Sequence, residues 1–288
     1  MRSSILNHWW LVTVRVGRDA VEAASVLLFD LGSTGIVTLD ETPNAVNLGA
    51  YFDESANTDV IKSALESKLG VAGIEVSAVA DQDWMQKWKE GFDPVRIGDR
   101  LMIAPSWKLP VETEGREIIR IDPGMAFGTG THETTRLCLE AVERYWRGGR
   151  LLDVGTGTGI LTIAAARLAP CSRLVAIDVD PQALEVAREN LAINRVSELV
   201  ELLEAQPAGL DRSEFDLIVA NLTAEAIVDS MADLANLLAS GGLMILSGIL
   251  IEFAGDVERL LLEGGFKVID KRLAGEWCAL IARRKEPI

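Results

Sequence analysis

The chain has 288 residues, 49% of them apolar and 25% charged, the proportions of a globular protein long enough for more than one domain. No apolar run reaches the roughly 18 residues of a membrane span, and residues 1–8 lose their apolar character too soon for a secretory signal, so no membrane association and a cytoplasmic location are expected. The net charge is −15, with residues 1–93 carrying −7 and residues 94–288 carrying −8; that sign repels phosphate backbones, so direct nucleic-acid binding is not expected, and it suits a lysine-rich partner as well as ordinary solubility.

Residues 9–16 alternate Leu11, Thr13 and Arg15 against Val12, Val14 and Val16, which predicts a strand with one buried face. Apolar positions at helical spacing from Asp19 to Leu31 predict a helix stopped by Gly32. Strands over 35–39 and 47–52 flank the turn-rich Glu41-Thr42-Pro43-Asn44. A second helix over 58–69 ends at Gly70, and a strand over 74–79 completes the set. This βαββαβ order is that of a ferredoxin-like α+β module. Residues 1–80 contain no catalytic cluster, so substrate recognition is the role expected of them, with a stabilising appendage as the plainer alternative. Residues 81–121 are read as a linker with a short helix that sets Trp84 and Trp88 on one face. Strand-like pieces over 100–104 and 117–121 are expected to lie against the C-terminal domain.

From 122 to 288 strands and helices alternate, as a parallel sheet covered on both faces requires. Strands are expected over 151–154, 174–178, 200–203, 215–221, 243–247, 266–273 and 277–282. Only Ala274-Gly275-Glu276 joins the last two, too little for a crossover helix, so the final strand must run antiparallel to its neighbour. A seven-strand α/β sheet with that one antiparallel strand is the methyltransferase variant of the Rossmann architecture, with its ligand above the carboxyl ends of the first strands.

The densest chemical signal is L-L-D-V-G-T-G-T-G at 151–159, where a strand enters a helix through Gly155, Gly157 and Gly159. Glycines let the backbone turn sharply and approach a ligand closely, and the following helix start presents unpaired N–H groups. A dinucleotide loop would place its third glycine where this chain has Ile160, which counts against a nicotinamide dehydrogenase. The next predicted strand ends in Asp178, 23 positions after Gly155. A carboxylate there can accept from both hydroxyls of a ribose and would repel a phosphate, so a nucleoside without phosphate, S-adenosylmethionine, fits. The plainer alternative is that Asp178 and Asp180 only cap the helix beginning at Pro181. Cys138, Cys171 and Cys278 show no C-x-x-C pairing and the chain has two histidines, so no metal site is expected.

Several segments together carry a family likeness: D-P-G-M-A-F-G-T-G-T-H-E-T-T from Asp122, D-V-G-T-G-T-G, D-V-D-P, V-A-N-L ending at Leu222, S-G-I-L from Ser247 and G-E-W-C-A-L from Gly275. With the stretch from Asp83 to Trp107, the chain resembles the bacterial ribosomal protein L11 methyltransferase family over nearly its whole length, most strongly from Asp83 onward. The resemblance implies methyl transfer from S-adenosylmethionine to amines of a ribosomal protein at the large-subunit stalk base, with the ferredoxin-like domain holding the substrate. It also implies that Thr135, Gly155, Asp178 and Asn221 are cofactor contacts, and Gly157 belongs to the same loop. Two departures are Glu133, where the family has proline, and Thr156 and Thr158, where it has cysteine and serine.

Methyl transfer from a sulfonium asks mainly for alignment and exclusion of water. Asn221 is the candidate to orient the attacking nitrogen, and Phe127 to cover the sulfonium by a cation–π contact. His132 either relays a proton or caps the helix beginning near Glu133. The competing readings are an NAD-dependent dehydrogenase on the same sheet, a ribosome-associated binding module with a vestigial pocket, and a methyltransferase acting on another protein.

Overall fold

The structure, a computed structural model, describes residues 8–42, 45–71, 73–80, 93–122, 130, 132–211 and 214–285. The chain divides into two compact units, Met1–Gly91 and Phe92–Ile288.

In the first unit β1 (His8–Gly17) leads through a 3₁₀ turn (Arg18–Ala20) into α1 (Val21–Asp30). Then come β2 (Gly35–Glu41), β3 (Ala45–Phe52), α2 (Thr58–Leu69) and β4 (Glu75–Ala80). The sheet order is β2-β3-β1-β4 with every pairing antiparallel, the ferredoxin-like arrangement. Alternation in β1 puts Val12, Val14 and Val16 at 2% exposure or less, packed with Ala24 and Leu28 of α1 and Ile61 and Leu65 of α2. Asn57 caps α2 by accepting from the N–H groups of Asp59 and Val60, and Gly70, at φ 62°, ends it in the left-handed conformation that glycine tolerates.

The second unit begins with a three-stranded sheet of β5 (Val95–Ile97), β6 (Leu101–Ala104) and β7 (Glu117–Arg120). Its apolar residues Ile97, Leu101, Ile103, Ile119 and Ile121 share one core with Leu139, Val142 and Ile163, so this strip packs on helices later in the chain. The remaining order is α3 (Glu133–Tyr145), β8 (Gly149–Val154), α4 (Ile160–Leu168), β9 (Cys171–Asp178), α5 (Pro181–Ile193) and β10 (Val200–Glu204). After these come β11 (Phe215–Asn221), α6 (Ala224–Leu237), β12 (Leu238–Leu250), α7 (Ala254–Glu263), β13 (Phe266–Ala274) and β14 (Trp277–Arg284).

These strands form a seven-stranded sheet in the order β10-β9-β8-β11-β12-β14-β13, in which β14 runs antiparallel to both its neighbours. Leu151, Leu174, Leu217 and Ile245 point to one face and pack with residues of α3, α4 and α5; Leu152, Val175, Ile218 and Met244 point to the other and pack with α6 and α7. Strands buried on both faces explain the near-continuous apolar runs of β8, β11 and β12, while the edge strand β10 is only partly buried. The strand order reverses at β8, which pairs with β9 on one side and β11 on the other, and the crevice at such a reversal is where open α/β sheets bind ligands. Among the described residues, no helix is long and apolar enough to cross a membrane.

Candidate functional site

The crevice above the carboxyl ends of β8, β9 and β11 is built around the glycine turn. Gly155, Gly157 and Gly159 take φ values of 68°, 54° and 79°, which residues with a Cβ rarely adopt. The N–H groups of Gly155 and Thr156 donate to the carbonyl of Ile177 at 2.9 and 3.0 Å, fastening the turn to β9. A side chain at Gly155 would also push aside the tip of Leu222, the residue after β11, but it is the backbone φ of 68° that calls for glycine.

Asp178 closes β9 with one carboxylate oxygen accepting from Gly157 N–H at 2.9 Å and the other from Asp180 N–H at 3.1 Å. The helix cap is Asp180, which accepts from Gln182 N–H at 2.9 Å ahead of Pro181 at the first helical position. The two acids therefore divide the tasks the sequence left open between them: Asp180 caps α5 and Asp178 faces the glycine turn.

Beneath the turn lies Asp153, fully buried. Its Oδ2 accepts from the hydroxyls of Thr156 and Thr162, each at 2.8 Å, while its Oδ1 is buried without a partner among the described residues. Burial pushes its pKa up to about 6 against the pull of the two threonine hydrogen bonds. Thr156 thus ties the loop to the strand below it.

On the other wall, Asn221 ends β11 beside the last residue of β8, and its Nδ2 donates to the hydroxyl of Thr135 at 3.4 Å. Eighty-six residues separate the two in sequence. Thr135 is buried in the first turn of α3, whose N-cap is His132. The His132 ring Nδ1 accepts from Thr134 N–H at 3.3 Å, and the ring lies edge-on to Trp277 at 5.4 Å between centroids. His132 therefore serves as the cap, and Glu133 is the exposed first residue of the helix, where its charge complements the helix dipole. The residue after Asn221 is held as tightly: Leu222 N–H donates to Ser247 O at 3.0 Å, and its carbonyl sits where a side chain at Gly248 would have to be.

The structure thus brings Thr135, Gly155, Gly157, Asp178 and Asn221 to one crevice, while Phe127 lies outside the described residues. Sequence reading passed over Asp153, Leu222 and the pair Asn190 and Asn194. Asn190 occupies a position on the α5 stripe otherwise filled by Ala183, Leu184, Ala187 and Leu191, Asn194 is the C-cap one turn on, and both are 1% exposed. A polar side chain at a core-facing helical position was the available signal. Cys138 is buried and its thiol is pushed up to about 12 by desolvation, the state of a packing group.

A glycine turn free of side chains, an adjacent helix start and a carboxylate at the crevice edge fit a nucleoside with a charged tail and no phosphate. With this strand order they define a Rossmann-like methyltransferase. The model of the ribosomal protein L11 methyltransferase family matches residues 8–285. The chain is 36% identical to a ribosomal protein L11 methyltransferase of Caldicellulosiruptor saccharolyticus, over 96% of this chain and 99% of that one, and 38% identical to one of Pelobacter propionicus, over 96% and 98%. Among solved structures, the ribosomal protein L11 methylase of Lactobacillus delbrueckii subsp. bulgaricus is 36% identical with a TM-score of 0.63, covering 68% of this chain and 100% of that one. The chain belongs to the ribosomal protein L11 methyltransferase family, and S-adenosylmethionine is its cofactor. The dehydrogenase alternative falls with that assignment.

Proposed function

We propose that this chain methylates amino groups of ribosomal protein L11, lysine side chains, the N-terminal amine or both, drawing the methyl group from S-adenosylmethionine. The observation that carries the reading is Asn221, held by Thr135 at the end of β11 and directly beside the glycine turn. When bound, the cofactor supplies a methyl group already activated by the sulfonium charge.

What remains for the protein is alignment and the exclusion of water. A lysine amine, with a reference pKa of roughly 10.4, attacks only after losing its proton, and the neutral amine then has N–H groups to place and one lone pair to aim. Thr135 takes one N–H of the Asn221 amide, and Oδ1, the acceptor of that amide, takes an amine N–H and turns the lone pair toward the crevice. On the other wall Asp178, already fixed through Gly157 N–H, keeps acceptor capacity on both oxygens for the ribose hydroxyls. Gly155 and Gly157 admit the backbone to close range, and the hydroxyl of Thr135 completes the wall.

A lysine side chain alone offers little binding energy, so the discrimination of substrate is assigned to the unit of residues 1–80. Residues 81–121 are assigned the connection between that unit and the chemistry at 122–288, with the strands over 95–120 packed into the core of the second unit. The net charge of −15 favours a basic partner at the stalk base without direct nucleic-acid contact, in the cytoplasm.

Intact-mass analysis of L11 after incubation with the enzyme and cofactor tests the assignment, with Asp178→Ala and Asn221→Ala as probes. Parent enzyme adds multiples of one methyl group. Asp178→Ala weakens cofactor binding by about 1.5–3 kcal/mol through loss of charge-assisted ribose bonds. Asn221→Ala lowers turnover more than cofactor affinity. Methylation of other lysine-rich proteins but not of L11 sinks the substrate assignment, and an Asn221→Ala defect confined to the Michaelis constant for the cofactor reduces Asn221 to a binding residue.

A further inference from the structure

We infer that Asn190 is a positioning residue for the cofactor crevice, its side-chain amide clamping the glycine turn to the backbone that leaves β7. The inference rests on reading that turn as the cofactor site.

An amide on the buried stripe of a helix costs about 1–3 kcal/mol if left without partners, and a well-packed apolar residue there would stabilise the core as well or better. At Asn190 both ends of the amide are used, and neither partner belongs to its own helix. Nδ2 donates to the carbonyl of Thr158 at 3.0 Å, and Oδ1 accepts from Asp122 N–H at 3.2 Å.

Thr158 precedes Gly159, the N-cap of α4, so its carbonyl stands before the helix ladder, whose first bond runs from Ile163 N–H to Gly159 O at 2.9 Å. Asn190 thus donates to a backbone carbonyl of the turn between two left-handed glycines, Gly157 and Gly159. Those glycines leave the backbone many alternatives. Asp178 holds the turn by an N–H and Asn190 holds it by a carbonyl, from opposite sides. A turn fixed in this way binds its ligand without a further ordering cost, which is where affinity is gained.

Asn194 is the internal control. It is as buried as Asn190 and caps the C-terminus of α5 one turn further on, but its Nδ2 donates to Arg120 O at 2.6 Å and Asn190 O at 2.8 Å, and its Oδ1 accepts from Arg120 N–H at 2.9 Å. It anchors β7 and makes none of these bonds to the glycine turn.

The test measures S-adenosylmethionine binding by calorimetry, steady-state kinetics and melting temperature on the full chain for Asn190→Ala, Asn190→Ser, Asn194→Ala and Asp178→Ala. All three asparagine variants lower the melting temperature. Asn190→Ala also weakens cofactor binding roughly tenfold and raises the cofactor KM in step, with kcat at saturating cofactor within about twofold of the parent. Asn190→Ser, whose hydroxyl keeps a donor near Thr158, recovers part of that loss and gives the same reading should the alanine variant fail to fold. Asn194→Ala binds cofactor like the parent. Parent-like binding by both Asn190 variants, or equal weakening by Asn194→Ala, overturns the inference and leaves a stabilising role alone. Should Asp178→Ala also bind like the parent, the glycine turn itself is misassigned as the cofactor site; if Asp178→Ala weakens binding and the Asn190 variants do not, only the clamp is wrong.

Discussion

The two units solve their packing in different ways. Among the described residues, the first unit buries Val12, Val14, Leu28, Phe52 and Leu65 with one polar side chain, Ser33, at 8% exposure. In the second, Asp153, Thr156, Thr158, Thr162, Asn190 and Asn194 all lie at 4% or less; the first five gather at the glycine turn, and Asn194 anchors β7 beside them. Thr134, Thr135 and Ser247 are equally buried on the wall that carries Asn221. Greater size does not account for that clustering. Apolar side chains would serve the core better, whereas hydrogen bonds fix direction as well as distance. The first unit is thus packed for stability, and the second accepts buried polar groups to hold one loop in one shape.

The largest expected effect comes from separating the two. A chain beginning at Asp81 keeps cofactor affinity within roughly tenfold, an allowance of about 1.4 kcal/mol for lost support, yet loses methylation of L11 by about 100-fold or more. Mass analysis of the product alongside calorimetry reads both quantities. Undiminished methylation by an equally folded truncated chain would break the division of labour.

Next in size is Leu65→Ala in the first unit, where the side chain is fully buried in an aliphatic core. It lowers stability by about 3 kcal/mol in urea denaturation while cofactor affinity stays at the parent value. A parallel loss of affinity would show that the units are energetically coupled.

Asp153→Asn probes the buried polar cluster through pH. The folded pKa of about 6 lies above the ordinary 3.8, so between those values the native state keeps a proton that the unfolded chain has lost. Stability from this group is complete below the lower value and is lost as pH rises through the upper one. The variant, which cannot ionise, is therefore more stable relative to the parent by about 1–2 kcal/mol at pH 7 than at pH 4, and the difference between their melting curves across that range measures it. A difference independent of pH contradicts the burial argument.

The smallest effect belongs to the surface. Arg259 and Asp256 pair at 3.0 Å on α7 with side chains 69% and 66% exposed, so Arg259→Ala shifts unfolding free energy by less than about 0.5 kcal/mol and leaves turnover unchanged. A larger shift would mean that stability in the second unit draws on its exterior as well as its core.

The sequence by itself determined whatever depends on local period and spacing. Valine alternation set the buried face of β1, Gly70 the end of α2, and the short connection between β13 and β14 the antiparallel last strand. The glycine spacing and the place of Asp178 pointed to a nucleoside cofactor, and the motifs to the family. The three-residue β5 was too short to leave a periodic trace, and the helix expected from Asp19 opens with a 3₁₀ turn over Arg18–Ala20 before becoming α-helical at Val21. Only the tertiary structure decided which of Asp178 and Asp180 caps α5, that His132 caps α3, that Thr135 meets Asn221, and where Asn190 and Asn194 send their amides. The reason is physical: hydrophobic period is written into neighbouring residues, whereas a buried polar group is tolerated only by virtue of partners elsewhere in the chain, and these become its neighbours only once the sheet has closed.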